Sequence, residues 1–372
     1  MSRPRVLIVT DQTDYFVGKI LNAVVAGDFE PLPIDVLRFG PRPEDQLGTV
    51  AMHHAVPMPS WPAGVREFAL TDLTAAVTPG SDEFDAFLGG YAKIAVLSLH
   101  PGTADLIHHV LDHHPALPLS VLNTDDDIDR HYLFHRERAA NPAQEAELRS
   151  ILLYPPSVER AFQRVAKFFI NPQPWLSMLR IGRTDEPGLI PWMTPVINRV
   201  PGIEDVKRPP HCYSVVLFVK PSVGLAQFQE VARTIAAQNA GRPIQIVTFR
   251  NDMPTQSEID GVPVRCYPYP LDEVAYHRIL AAAHGVVIVP RGGLSAIRDA
   301  VRYGLDVITP VENMINHIVL TADVGLEMTR IDDLRLDDPD GAIARRRENN
   351  RAALARYEFG SIAAFRREYG LE

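Results

Sequence analysis

Cysteine is nearly absent from this chain. It holds two, Cys212 and Cys266, with no spacing suited to a metal or a redox pair. A disulfide scaffold and a thiolate metal centre are therefore excluded, and both residues read as buried thiols. Long hydrophobic runs are missing too. No apolar stretch approaches the roughly 20 residues of a membrane span, and Met1 to Thr10 reads as a short strand, not as a secretory leader. Positive charge is in deficit: 37 Lys and Arg stand against 46 Asp and Glu, a net charge of −9. That balance argues against a general nucleic-acid binder. No internal repeat and no low-complexity tail is present. These absences leave a cytoplasmic enzyme as the expectation.

What is present fits that expectation. A chain of 372 residues, 46% of them hydrophobic, is too long for one typical core and divides by default into two well-packed domains. Its 32 prolines cluster in connections, which predicts rigid loops.

The most informative stretch runs from Gly285 to Asn313. Val286 to Val289 is a continuous β-branched run, the mark of a strand buried on both faces. Arg291, Gly292 and Gly293 then interrupt it where a strand hands over to a helix. Leu294, Ile297, Ala300 and Val301 recur at helical spacing, Gly304 stands at the C-cap position, and Val307 and Ile308 begin another strand. The turn thus lies at the carboxyl end of a parallel strand and the N-terminus of a helix, where free N–H groups and the positive helix end suit a phosphate. Two glycines allow close approach to the backbone. Arg291 offers a fork that fits phosphate oxygens, and Ser295 can donate from the first turn. The plainer alternative is a tight connection carrying a surface Arg.

Along the chain, strands are predicted at Arg5–Thr10, Ile34–Phe39, Thr49–Met58, Ile94–Leu99 and Leu119–Asn123, with helices from Tyr15 to Val25 and from His100 to about Leu111. The segment from Asp129 to Phe168 reads as mostly helical, followed by a short apolar step and another helix up to Arg180. Arg183 to Pro210 breaks the rhythm with six prolines and reads as the linker. Alternation restarts with strands at Tyr213–Val219, Ile244–Phe249 and Val264–Tyr267. A helix is expected to end near Gln238, and another to be capped by Asp272. Such alternation makes a parallel sheet covered on both faces. The expected fold is α/β: two Rossmann-like, doubly wound domains facing a cleft, residues 1–190 and 211–340, with a helical tail at 341–372.

Two such halves joined by a Pro-rich hinge, with an anion turn in the second, resemble glycosyltransferases of the GT-B architecture. Arg291-Gly292-Gly293-Leu294-Ser295, Gly304 and Pro310 through His317 (PVENMINH) resemble two bacterial branches more closely. These are the fucosamine transferases acting on lipid-linked precursors and the protein-arginine rhamnosyltransferases. Lys220, Ser222 and Tyr269 sit where that architecture binds its nucleotide, and Arg250 and Asn313 join the donor set. Where the rhamnosyltransferase pattern has acidic residues after its Arg-Gly, this chain has Gly293 and Leu294, which leaves Glu312 as the ribose carboxylate. The resemblance implies a nucleotide-sugar donor, a bacterial glycan or lipid-linked acceptor, and no cofactor or metal.

The diphosphate leaves with negative charge developing on it, so donors and cations belong there. The acceptor hydroxyl must lose a proton to a base in the N-terminal domain. Asp14, closing the turn after the first strand, is the first choice, and His100, at another strand end, the second. The structural alternatives are a helix cap for Asp14 and a helix-start residue for His100. His108, His109, His113 and His114 read as a solvated helix face with no carboxylate to complete a metal site. Asp125-Asp126-Asp127 reads as a turn and cap. Arg345-Arg346-Arg347 reads as a solvated face, leaving room for weak peripheral contact with anionic lipid at the inner face of a membrane. Two further readings of the whole stay open: a sugar-nucleotide 2-epimerase of the same architecture, and a non-catalytic two-lobed binding module.

Overall fold

A computed structural model describes residues 5–11, 16–25, 33–40, 61–70, 82–99, 101–123, 156–170, 189–192, 200, 202–218, 225–239, 243–268, 271–288, 294–310, 317 and 320–371. The chain divides into two compact units, Met1–Ile197 with Glu358–Glu372, and Asn198–Tyr357.

The first unit holds β1 (Val6–Asp11), α1 (Phe16–Val25), β2 (Ile34–Phe39), β3 (Arg66–Leu70), α2 (Asp82–Leu88), β4 (Lys93–Leu97), α3 (Pro101–His113), β5 (Leu119–Leu122), α4 (Pro156–Arg164), β6 (Lys167–Ile170) and β7 (Leu189–Pro191). Its sheet runs β3-β2-β1-β4-β5-β6-β7, with every pair parallel. Apolar residues occupy both faces of the central strands because both faces are covered. Leu7 and Val9 pack with Leu106, Ile107 and Phe162 of α3 and α4. Val6 and Ile8 point the other way, into Val17, Ile20 and Leu21 of α1 and into Phe365 and Tyr369 near the C-terminus. At the β3 edge, Asp35 is fully buried and binds Arg5, Arg66 and Tyr91. Burial, the largest single influence, pushes its carboxyl up, but the hydrogen bonds from Arg66, Arg5 and Tyr91 outweigh it and hold the pKa down at about 2.

The second unit holds β8 (Tyr213–Leu217), α5 (Leu225–Asn239), β9 (Ile244–Phe249), β10 (Gln256–Ile259), β11 (Val262–Tyr267), α6 (Glu273–Ala281), β12 (Gly285–Val287), α7 (Leu294–Arg302), β13 (Asp306–Thr309), β14 (Thr329–Arg330) and most of α8 (Ala342–Tyr369). The order is β10-β11-β9-β8-β12-β13-β14. Among the described strands of this sheet, only the β10–β11 hairpin is antiparallel. Its turn puts Asp260 and Gly261 at φ 49° and 82°, the left-handed pair that a two-residue hairpin requires. Asp272 caps α6 by accepting from the Ala275 N–H. Gly304, at φ 69°, ends α7: its own N–H reaches the Val301 carbonyl, and that of Leu305 reaches the Ala300 carbonyl.

The strand expected at Thr49–Met58 lies outside the described residues. β3, which pairs with β2, was not expected: it is a solvent-facing edge whose mixed sequence hides its strand character. Other expectations are corrected. Of the segment expected to be mostly helical up to Phe168, α4 is helical but the end is a strand, β6, because a short apolar run cannot be told from a helix segment by periodicity. Within the expected linker, β7 pairs with β6 and Trp192 is fully buried. The expected separate tail is one helix, α8, shared between the two units. Its Arg345-Arg346-Arg347 run is not a solvated face, since Arg346 and Arg347 turn inward onto buried Asp306.

Candidate functional site

Both units repeat the 3-2-1-4-5-6 order of dinucleotide-binding sheets, in which ligands bind at the carboxyl ends of the first and fourth strands. In the second unit those strands are β8 and β12. They are hydrogen-bonded neighbours in register, Val215 with Gly285 and Leu217 with Val287. The chain leaves them toward residues 219–224 and 289–293 and then enters α5 and α7. Neither helix carries an acidic residue in its first turn, so no first-turn carboxylate offsets the positive helix end. By contrast, α2 and α6 both start with acidic residues.

The first unit offers a similar arrangement. β1 and β4 are neighbours, with Val9 beside Val96, and neither α1 nor α3 has an acidic first turn. Ser98, just past β4, holds a left-handed backbone at φ 66°. Its N–H donates to the Leu122 carbonyl, and its own carbonyl accepts from the Thr103 hydroxyl at 3.0 Å. These bonds hold a conformation that costs a non-glycine residue about 1–3 kcal/mol.

Of the predicted site residues, Asp14, His100, Lys220, Ser222, Tyr269, Arg291, Gly292, Gly293, Glu312 and Asn313 lie outside the described residues, as do Asp125, Asp126 and Asp127. Ser295 is the second residue of α7, in its first turn. Arg250 directly follows β9, the neighbour of β8. It is buried, with Nε 2.7 Å and Nη2 2.6 Å from the two Asp252 carboxylate oxygens and its guanidinium over the Phe228 ring. The hydrogen bond from Arg250 holds the Asp252 carboxyl below the usual range.

Three polar residues were missed. Thr10, Asn123 and Thr248 carry buried side-chain atoms without a hydrogen-bond partner among the described residues, at or next to the carboxyl ends of β1, β5 and β9. The signal was a polar residue interrupting an apolar strand at that end. The histidine group also differs from expectation. His109 is buried, and Asp85 supplies a carboxylate to both His109 and His114.

Two Rossmann-like parallel sheets, each with helix N-termini beside its switch point, define a GT-B fold. No family model and no curated protein matches the chain, whereas solved structures do. UGT2 of Phytolacca americana, complexed with UDP-2fluoro-glucose and pterostilbene, aligns over 96% of this chain and 94% of its own at 14% identity and a TM-score of 0.52. A Listeria monocytogenes protein assigned as a UDP-N-acetylglucosamine 2-epimerase aligns over 100% and 98% at 13% and 0.51. UGT89C1 of Arabidopsis thaliana, complexed with UDP-L-rhamnose, aligns over 98% and 95% at 12% and 0.50. At such identities the likeness is one of fold. Among the described residues, no helix is long and apolar enough to cross a membrane.

Proposed function

We propose that this chain is a glycosyltransferase that moves a sugar from a nucleotide-sugar donor to a bacterial glycan or lipid-linked acceptor, with inversion and without a metal on the diphosphate. The observation that carries the reading is the register of β8 against β12. It makes neighbours of the strands that lead into Lys220 and Ser222 and into Arg291-Gly292-Gly293. Ser295 follows in the first turn of α7.

In this reading the backbone N–H groups after Arg291, its guanidinium, Lys220, Ser222 and Ser295 hold the diphosphate. Tyr269 and Asn313 line the nucleotide, and Glu312 takes the ribose. Arg250 supports the donor side by bracing the turn after β9. The acceptor oxygen attacks the anomeric carbon as the bond to the phosphate oxygen breaks, and the nucleoside diphosphate departs with that electron pair. The acceptor's proton goes to a base in the first unit, Asp14 first and His100 second. A lipid-linked acceptor would bring the protein to the inner face of a membrane.

The solved likenesses bound to UDP-sugars make uridine donors the first to test. A thermal-shift panel of nucleotide sugars should show one donor that stabilises strongly. That donor should then be consumed only when acceptor is added. Consumption without acceptor would instead support a 2-epimerase, the class assigned to the Listeria protein that shares the fold. Tight binding without any turnover would indicate a two-lobed binding module.

A further inference from the structure

A second cluster of reactive side chains lies in the first unit, away from the strand carboxyl ends. The Nε2 atoms of His109 and His114 converge on a single oxygen of Asp85, at 2.7 and 2.8 Å. One ligand atom from each residue lies within 4.8 Å of the others. The three come from two elements. Asp85 belongs to α2, while His109 lies in the last turns of α3 and His114 follows that helix directly.

We propose that Asp85, His109 and His114 form a binding site for a divalent transition metal of the zinc class. Two imidazole nitrogens and a carboxylate oxygen are the borderline donors such ions take, and three protein ligands leave one position for water. Around a tetrahedral ion with bonds of about 2.0–2.1 Å, ligand atoms stand about 3.3 Å apart. Binding therefore needs each of the two His–Asp pairs to open by about half an ångström, with the two imidazole nitrogens, within 4.8 Å of each other, settling to the same spacing. The site can give that much: the side chains of Asp85 and His114 are 38% and 19% exposed, while His109, at 6%, is the fixed member against the Phe84 ring. Each neutral imidazole frees Nε2 for the metal by carrying its proton on Nδ1, so the exchange is balanced.

The position sets this site apart from the strand carboxyl ends. The 13 residues of α3 leave the carboxyl end of β4 and run back about 20 Å, so His114 lies toward the amino-terminal edge of the sheet. The ends of α2 and β4 are separated only by Gly89 to Ala92, which places Asp85 near the same edge. A metal there would clip α2 to α3 and take no part in transfer at the opposite edge.

The test uses the full chain without an affinity tag, stripped with a chelator and titrated with Co2+ and with Zn2+. One equivalent of Co2+ should develop the visible d–d bands of a low-symmetry nitrogen–oxygen site, and saturating Zn2+ should raise Tm by about 5 °C. Both responses should disappear in His114→Gln and in Asp85→Asn, whose far-UV circular dichroism should match that of the stripped wild type. If Co2+ gives no bands beyond those of the two variants, or if the variants share the Zn2+ shift, the proposal fails and the three residues are only a hydrogen-bonded brace.

Discussion

Removing the Arg291 side chain tests the proposed donor site. Arg291→Ala should weaken binding of the matching nucleoside diphosphate by about 1.5–3 kcal/mol, the range for charge-assisted hydrogen bonds, as read by isothermal titration. Unchanged affinity would make it a turn residue only. Asp14 answers a different question, because a general base acts on the acceptor and not on the phosphates. Asp14→Asn should leave donor affinity within about twofold while lowering kcat by about 100- to 10,000-fold. If His100→Ala shows the large loss and Asp14→Asn does not, the base is His100.

At the scale of elements, the amino-terminal ends of β8, β12 and β13 meet α8 around His284. Its Nδ1 accepts the Ser214 N–H at 3.1 Å, so the ring is bound as a neutral acceptor. Burial first, then Arg208 and Arg347, push its pKa down from 6.5 to about 4. Protonation is thus harder in the folded state than in the unfolded one. The contribution to stability is complete above about pH 6.5 and is lost as pH falls through 4. Urea unfolding should show wild type losing about 2–3 kcal/mol more than His284→Gln between pH 7.5 and 4.5. An equal pH response in the two proteins would remove His284 as the titrating group. Asp306 completes this junction. It accepts from Tyr213, Arg346 and Arg347, and its carboxyl sits below its usual range because these partners outweigh the burial that would raise it.

For the molecule as a whole, the C-terminal part of α8 belongs to the first unit's core although it follows the second unit in sequence. The Phe365 ring stacks on Trp192 at 5.8 Å and lies 6.1 Å from Phe169, and all three residues are fully buried. Phe365→Ala should cost about 3–5 kcal/mol in chemical denaturation, with the loss confined to the transition that reports on Trp192 fluorescence. A cost below about 1 kcal/mol would show that this end of the helix is not needed by the first unit. The core packed on the first sheet is therefore completed by a segment that follows the second unit in sequence.

The central strands were legible residue by residue. Parallel strands buried on both faces must be continuously apolar, as in VLIV of β1, IAVL of β4 and VV of β12, and glycine, proline and capping residues mark where helices begin and end. Gly304 and Asp272 occupy their predicted positions for that reason. The sequence by itself therefore determined the alternation of strands and helices. Edge strands were hidden because one side of each meets solvent or another chain segment, so β3 and β10 carry charged and polar residues that no period singles out. Tertiary structure alone decided what depends on distance through space: that Leu217 lies beside Val287, that Asp306 gathers arginines 40 and 41 residues away, and that Asp85 meets two histidines 24 and 29 residues on. Local propensity acts over a few residues, whereas these groups come together only when helices bury their apolar faces on a finished sheet.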